Sequence, residues 1–381
     1  MMTKLSYIKE QNFIPISKPS ITIKEIDYVN DAIKSGWVSS IGKYIELFEK
    51  KFADYCGVKY ALSTSNATVA LHLSLVSLGI KEGDEVIVPE MTFIATANSA
   101  KYINAKVVPV DINENTLCIE PRHIESAINS KTKAVIPVHL YGHPADMIKI
   151  NKVARKYNLC IVEDAAEALG AEIKGKKIGS FGNAAVFSFY GNKIITTGEG
   201  GMIITNDENL YNKMSFLRDH AMSKEKRYWH TEIGFNYRMT NLQAALGVAQ
   251  LERIDELLYK RKLVFDWYEE ELGDISGIKI NYQAIWAKNI YWMICLEIEN
   301  FNEIKRDEFI QKLKKYGIDS RPYFYPISDM PMYNNKKNIT PISHKIYQRG
   351  LNLPIFFDIT REQVSYICSI VKKELNVSKF L

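Results

Sequence analysis

Lys193 sits in the run Ser188-Phe189-Tyr190-Gly191-Asn192-Lys193-Ile194-Ile195-Thr196-Thr197-Gly198-Glu199-Gly200-Gly201, between an apolar strand-like segment and a glycine-rich turn. An amine held partly out of water loses its proton more easily and becomes a nucleophile that can form a Schiff base with an aldehyde. Pyridoxal phosphate is the obvious aldehyde. Taken alone, the residue reads more simply as a solvated lysine at a strand end. A second group changes its meaning. Cys160-Ile161-Val162-Glu163 leads straight into Asp164-Ala165-Ala166-Glu167-Ala168-Leu169-Gly170, which places Asp164 at the carboxyl end of a buried strand. Such a carboxylate can cap a helix. Paired with a pyridine nitrogen it would instead keep that nitrogen protonated, as the electron sink of pyridoxal phosphate requires. Glu167, expected one helical turn further on, could flank the ring, approach the substrate or face solvent at a helix start.

An anion cup is expected after the run Tyr60–Thr64, where Ser65-Asn66-Ala67-Thr68 brings small residues into a helix N-terminus. Backbone N–H groups of Ala67 and Thr68 and the Thr68 hydroxyl could meet a phosphate there, although the same residue types also make an ordinary helix cap. Ser188 could add a hydroxyl. Phe93, expected to open a helix directly after Glu85–Pro89, could stack on a cofactor ring or simply fill the core.

The elements that must position these groups alternate. Strand candidates Tyr60–Thr64, Glu85–Pro89, Lys106–Asp111, Ala134–Leu140, Cys160–Glu163, Ala184–Phe189 and Met202–Thr205 are separated by helical patterns such as Ala67–Leu78 and Met147–Tyr157. This predicts an α/β domain built on a mainly parallel sheet covered on both faces. A long amphipathic pattern follows Asn241 to about Leu272, and the remainder predicts a smaller α+β unit with a strand over Tyr291–Ile298 and helices over Arg306–Tyr316 and Arg361–Glu374. The expected division is 1–240 for the large domain and 241–381 for the linker helix and small domain, with the N-terminal segment and its helix near Lys24–Lys34 packing back on the small unit. A ligand cleft is expected where the two meet.

Composition narrows the function classes. The 381 residues are 46 % hydrophobic and 24 % charged, with a net charge of +5 spread along the chain. That balance gives no basic face for nucleic acid but would suit an anionic small substrate. The five cysteines are scattered without Cys/His metal spacing, so reduced thiols, no structural metal and a cytoplasmic location are expected. Met1–Gln11 has no apolar core of a leader, and no segment approaches the ~18 apolar residues of a membrane span. No GxGxxG follows the first strand, which disfavours a dinucleotide enzyme.

Taken in order, Asn66-Ala67-Thr68, Ala70-Leu71-His72, Glu163 to Gly170 and the Lys193 run ending Thr196-Thr197-Gly198-Glu199-Gly200-Gly201 resemble the sugar aminotransferases of the DegT/DnrJ/EryC1/StrS family, over nearly the whole chain. The resemblance implies a fold-type-I pyridoxal phosphate enzyme with a seven-stranded sheet and a smaller C-terminal α+β domain. It implies a Schiff base at Lys193, ring-nitrogen pairing by Asp164, and phosphate contacts from Thr68 and Ser188. Asn236 would reach the cofactor phosphate of a neighbouring subunit, giving a homodimer with shared active sites, or a larger oligomer.

Trp37–Ser40, His139–Pro144, Tyr228–His230, Gly234–Asn241, Arg321–Pro326 and Met330–Tyr333 look most like the members that aminate GDP-4-keto-6-deoxy-mannose, with a UDP- or dTDP-linked sugar as the alternative. L-Glutamate would be the donor, and the pyridoxamine phosphate form would arise during turnover. His230, Arg238, Arg321 and Tyr325 could contact the sugar and its diphosphate, or build a subunit interface. Many family members carry glycine in place of Ala67 and His or Gln in place of Glu167. The family's 3-dehydratases carry histidine at the position of Lys193, which disfavours that activity here.

Overall fold

The computed structural model describes residues 13–333 and 340–376, so the Met1–Gln11 stretch considered above lies outside the described residues. Helices α1 (Ile23–Lys34) and α2 (Lys43–Cys56) precede the first strand. Then follow β1 (Tyr60–Thr64), α3 (Ala67–Ser77), β2 (Glu85–Pro89), α4 (Ala95–Lys101), β3 (Lys106–Val110), α5 (Pro121–Ala127), β4 (Thr132–Val135), α6 (Met147–Tyr157) and β5 (Cys160–Asp164). A short hairpin, β6 (Glu172–Ile173) and β7 (Lys176–Lys177), leads into β8 (Ala184–Ser188), β9 (Gly201–Thr205) and α7 (Glu208–Arg218).

Seven of these strands form one sheet in the order β1-β9-β8-β5-β4-β2-β3. β3, β2, β4, β5 and β8 pair in parallel, and β9 runs antiparallel between β8 and β1. The expected mainly parallel α/β sheet is thus present. Its strands are runs of Val, Ile and Ala buried on both faces, as parallel strands under helices must be. Because β1, β2, β5 and β8 all point the same way, Thr64, Pro89, Asp164 and Ser188 end on one edge, joined there by Gly201 at the start of β9. Ligand sites of open α/β sheets form along this edge.

Next come α8 (Asn241–Leu251) and α9 (Ile254–Leu272). The single long helix expected here is broken at Glu252–Arg253. α8 is buried almost all round, wedged against α1 and α2, whereas α9 is amphipathic. The close packing depends on Gly247, where an added Cβ would lie 2.6 Å from the Phe48 ring.

The rest comprises β10 (Ile278–Ile280), β11 (Ala287–Lys288), β12 (Ile294–Ile298), α10 (Glu303–Lys315), β13 (Arg321–Pro322), α11 (Pro341–Tyr347), β14 (Gly350–Leu353) and α12 (Arg361–Glu374). Its antiparallel sheet has the order β10-β12-β14-β13. Ile14 bridges to Ile318 beside this sheet, and Ile355 N donates to Ile16 O at 3.0 Å.

Several boundaries differ from expectation for physical reasons. β4 stops at Val135, two residues before Pro137, which has no N–H to give a ladder. β3 stops before Asp111, whose carboxylate accepts from Ile342 N, Ser343 N and Ser343 Oγ at 2.9, 2.8 and 2.6 Å, fastening the start of α11 to the large sheet. β12 starts only at Ile294, because Tyr291 takes a positive φ of 50° and Trp292 N donates to Tyr141 O at 3.2 Å. Phe93 precedes rather than opens its helix, which begins at Ala95. Glu167 lies on consecutive turns and not on a helix: Ala165 N bonds across to Val186 O, and Gly170 sits at φ 94°.

Candidate active site

The Lys193 loop is a closed excursion from the end of β8. Phe189 anchors it in the core, its ring 5.1 Å from that of Phe48 and 5.5 Å from that of Phe52. Its carbonyl receives the returning chain, accepting from Thr197 N at 2.9 Å and Thr196 Oγ1 at 3.0 Å. Ile194 and Ile195 are buried, so the loop is fixed on both sides of Lys193. The lysine amine stands 3.7 Å from Glu167 Oε1 and 3.8 Å from the centroid of the Trp292 ring. Burial pushes its pKa down, opposed by the charges of Glu167 and Asp164.

β5 brings the acids. Glu163 is fully buried and structural: it accepts from Gly179 N, Phe181 N and Gly182 N at 2.8, 2.8 and 2.7 Å and meets His139 Nε2 at 3.1 Å. Asp164, the next residue, faces the strand edge. Its Oδ2 accepts from Thr96 Oγ1 at 2.7 Å and its Oδ1 from Ala166 N at 3.2 Å. Burial pushes the Asp164 carboxyl up, opposed by these donors and by the Lys193 charge. Glu167 accepts from Tyr141 N at 2.9 Å, and burial pushes it up to about 7 despite the neighbouring lysine. An amine whose pKa burial pushes down, a buried carboxylate and a carboxyl that burial pushes up to about 7 thus converge at the ends of β5 and β8. Perturbed groups gathered at a strand edge are the mark of acid–base chemistry.

The turn expected to form an anion cup lies further along the same edge, beyond β8 and β9. Ser188 on β8 pairs with Gly201 on β9, which pairs with Thr64 on β1, so the three residues stand in one row. Asn66 caps α3 through Oδ1, which accepts from Val69 N at 3.0 Å, and Thr64 Oγ1 donates to Asn66 O at 3.0 Å. Among the described residues the N–H groups of Ala67 and Thr68 have no partner. A Cβ added at Gly201 would lie 2.6 Å from Asn66 C and 2.8 Å from Ala67 N, so glycine is what lets the strand back onto this turn. These features fit pyridoxal phosphate: orphan helix N–H groups and the Thr68 and Ser188 hydroxyls for its phosphate, Asp164 for its ring nitrogen, Lys193 for its aldehyde carbon. Phe93 is 55 % exposed, edge-on to Phe324 at 5.9 Å and one turn before Thr96.

The other expected contacts are not gathered here within the chain. His230 Nδ1 is 2.8 Å from His220 O, Arg238 pairs with Asp219 at 2.8 Å, Arg321 pairs with Asp319 at 2.6 Å, and the Tyr325 hydroxyl is 3.4 Å from Arg306 Nη2. Asn236 is exposed, on the return of a surface excursion whose tip includes Ile233, 90 % exposed. Among the described residues no contact joins any of these five to Lys193 or Asp164.

Thr96, Tyr141 and Trp292, in contrast, line the site and were not expected. Thr96 had a weak signal, its one-turn spacing from Phe93. Trp292 had none, since it arrives from 99 positions beyond Lys193.

The model of the DegT/DnrJ/EryC1/StrS aminotransferase family matches residues 19–372. This chain belongs to that family. The GDP-perosamine synthase of Escherichia coli O157:H7 is 44 % identical, the match covering 95 % of this chain and 98 % of that one. The GDP-perosamine synthase of Caulobacter vibrioides is 45 % identical, with the same 95 % and 98 % coverage. Among solved structures, the sugar-aminotransferase-like protein Spr1654 of Streptococcus pneumoniae, in its PMP form, superposes with a TM-score of 0.90 at 29 % identity, over 96 % of this chain and 99 % of that one. It has been solved in a PLP form as well. The chain is therefore a pyridoxal phosphate-dependent aminotransferase. No described helix is long and apolar enough to cross a membrane.

Proposed function

We propose that this aminotransferase moves the amino group of L-glutamate to C4 of GDP-4-keto-6-deoxy-D-mannose, making GDP-perosamine for a surface polysaccharide such as an O-antigen. The observation that carries the sugar assignment is identity of 44 and 45 % to two GDP-perosamine synthases over 95 % of the chain. The chemistry rests on the strand-edge geometry. Bound pyridoxal phosphate supplies the electron sink. Asp164 holds the proton of its ring nitrogen, and Ala67, Thr68 and Ser188 hold its phosphate. Phe93 flanks its ring. Lys193 Nζ, with its pKa lowered by burial, would move the proton between the reacting carbon of the substrate and the cofactor, in opposite directions in the two halves of the exchange. Glu167 lies close enough for its charge to act on that amine.

The working unit is a homodimer in cytoplasm, built from a large domain over 1–240 and a linker helix and small domain over 241–381. Exposed Tyr228, Trp229 and Ile233 support the pairing, as does Asn236, which would complete the partner's phosphate cup. His230, Arg238, Arg321 and Tyr325 would meet the nucleotide sugar in that assembled cleft. A coupled assay tests the assignment: purified protein, glutamate and a panel of GDP-, UDP- and dTDP-linked keto sugars, with products identified by mass and NMR. Turnover of the GDP sugar with a new amine at C4 is expected. Turnover confined to a UDP or dTDP sugar would refute the GDP assignment and leave the transamination standing.

A further inference from the structure

We propose that the indole face of Trp292 is the resting platform of the Lys193 amine whenever that lysine is not bonded to the cofactor. This makes Trp292 a positioning residue for the exchange.

The lysine nitrogen stands 3.8 Å from the ring centroid, well inside the ~6 Å at which a cation is drawn to an indole face. It is 3.7 Å from Glu167 Oε1, outside hydrogen-bond reach, so the ring is a surface it rests on as closely as on the acid. The ring in turn is held at every polar point. Trp292 Nε1 donates at 2.9 Å to the carbonyl of Asn192, the residue before Lys193. Trp292 N donates to Tyr141 O at 3.2 Å, and the Trp292 carbonyl accepts from Arg261 Nη1 at 2.7 Å. The indole also stacks on Tyr141, with centroids 6.2 Å apart and planes inclined by 12°.

These contacts close a circuit. Lys193 meets Trp292, Trp292 bonds to Tyr141, Tyr141 N donates to Glu167, and Glu167 returns to Lys193. The approach is tight enough that a Cβ on Gly142 would lie 2.8 Å from Trp292 N. Arg261 gains a purpose from the same geometry. It is buried on α9, burial pushes it down to about 10, and its described bond is the one to Trp292. A lysine released from the cofactor is therefore not a loose chain in solvent. It returns to a fixed point bounded by Glu167 and the indole, within the field of Asp164.

The platform rests on Lys193 being the cofactor-binding lysine, and the test separates the two claims. Trace acylation by acetic anhydride, read by peptide mass spectrometry across pH, measures the titration midpoint of Lys193. The charged groups around it are Glu167 and Asp164, with Lys18 and Arg261 along a crevice that Lys193 also lines, and all are left unchanged. In protein carrying pyridoxal phosphate, Lys193 must be protected from acylation; lack of protection overturns its role in the cofactor site and the platform with it. In protein stripped of cofactor, Trp292→Leu should lower the midpoint by about one unit, because the ammonium loses a desolvated cation–π contact. Trp292→Phe should fall between it and the native protein. A midpoint that rises, showing that the ring only kept water out, or one that stays put, overturns the platform while leaving the cofactor site intact. Should Trp292→Leu fail to fold, full-chain protein grown on tetrafluorotryptophan keeps the indole shape while removing its negative face, and the same downward shift is required.

Discussion

Thr96 Oγ1 donates to Asp164 Oδ2 at 2.7 Å, linking the first turn of α4 to the end of β5. The Thr92 hydroxyl lies 3.2 Å from that of Thr96 and backs it up. This donor opposes the burial that pushes the Asp164 carboxyl up. Without it, Asp164 would take a proton more readily and lose its hold on a protonated ring nitrogen. Thr96→Val should weaken binding of pyridoxal phosphate by roughly 10-fold or more, the worth of one hydrogen bond to a charged group, while Thr96→Ser should restore it. Titration of cofactor into stripped protein measures both. Equal affinity in the valine variant would show that the bond is ornamental.

Gly201→Ala places a methyl 2.8 Å from Ala67 N, on the turn whose N–H groups are free for a phosphate. Overpacking of this kind costs about 1–3 kcal/mol. The variant should stay folded, with its cofactor affinity reduced more than its thermal midpoint would suggest. Inorganic phosphate, which needs only the cup, should lose its protection of the stripped protein against heating. If phosphate protects the variant as well as the native chain, the cup is misplaced.

Glu167 gives a pH dependence with a definite sign. Its carboxyl is pushed up by burial from an ordinary 4.5 to about 7. Between those values the native chain binds more protons than the unfolded one, so this group's stabilisation is full below the lower value and is lost as pH rises through the upper. Thermal midpoints of the cofactor-free protein should therefore carry a downward component across that window, and Glu167→Gln should flatten it. An unchanged slope in the glutamine variant would remove Glu167 as the titrating group.

Asp111 joins the large sheet to the start of α11 through three accepted hydrogen bonds. Asp111→Ala leaves those donors buried without a partner and should cost about 1–3 kcal/mol in denaturant unfolding. Hydrogen exchange should quicken at Ile342 and Ser343 before it does in β2 or β5. Uniform loss of protection would mean that the two units unfold as one and that the latch has no local role.

Lys193 and Asp164 were legible in the sequence because each sits where a β-rich run meets a turn, a local signal that fixes its place on the sheet edge. The turn after β1 was legible for the same reason, since Asn66 caps a helix that starts at Ala67, just past the end of β1. Glu167 was found but misplaced. Asp-Ala-Ala-Glu-Ala-Leu favours a helix by propensity, yet the backbone of Ala165 is claimed by β8 and Gly170 turns the chain away. Trp292 and Tyr141 reach the lysine only through contacts between remote segments, and no periodicity records those. The break between α8 and α9 was hidden because α8 is apolar on all sides and blends into the amphipathic stripe that follows.

Reduction of the cofactor-bearing protein with borohydride, followed by digestion and peptide mass spectrometry, fixes the cofactor to whichever lysine it is bonded to. The phosphopyridoxyl mass is predicted on the peptide containing Lys193, and it should vanish after brief exposure to glutamate, which takes the cofactor to its amino form and frees the lysine. Label on another lysine, or none on any, would contradict the account at its centre.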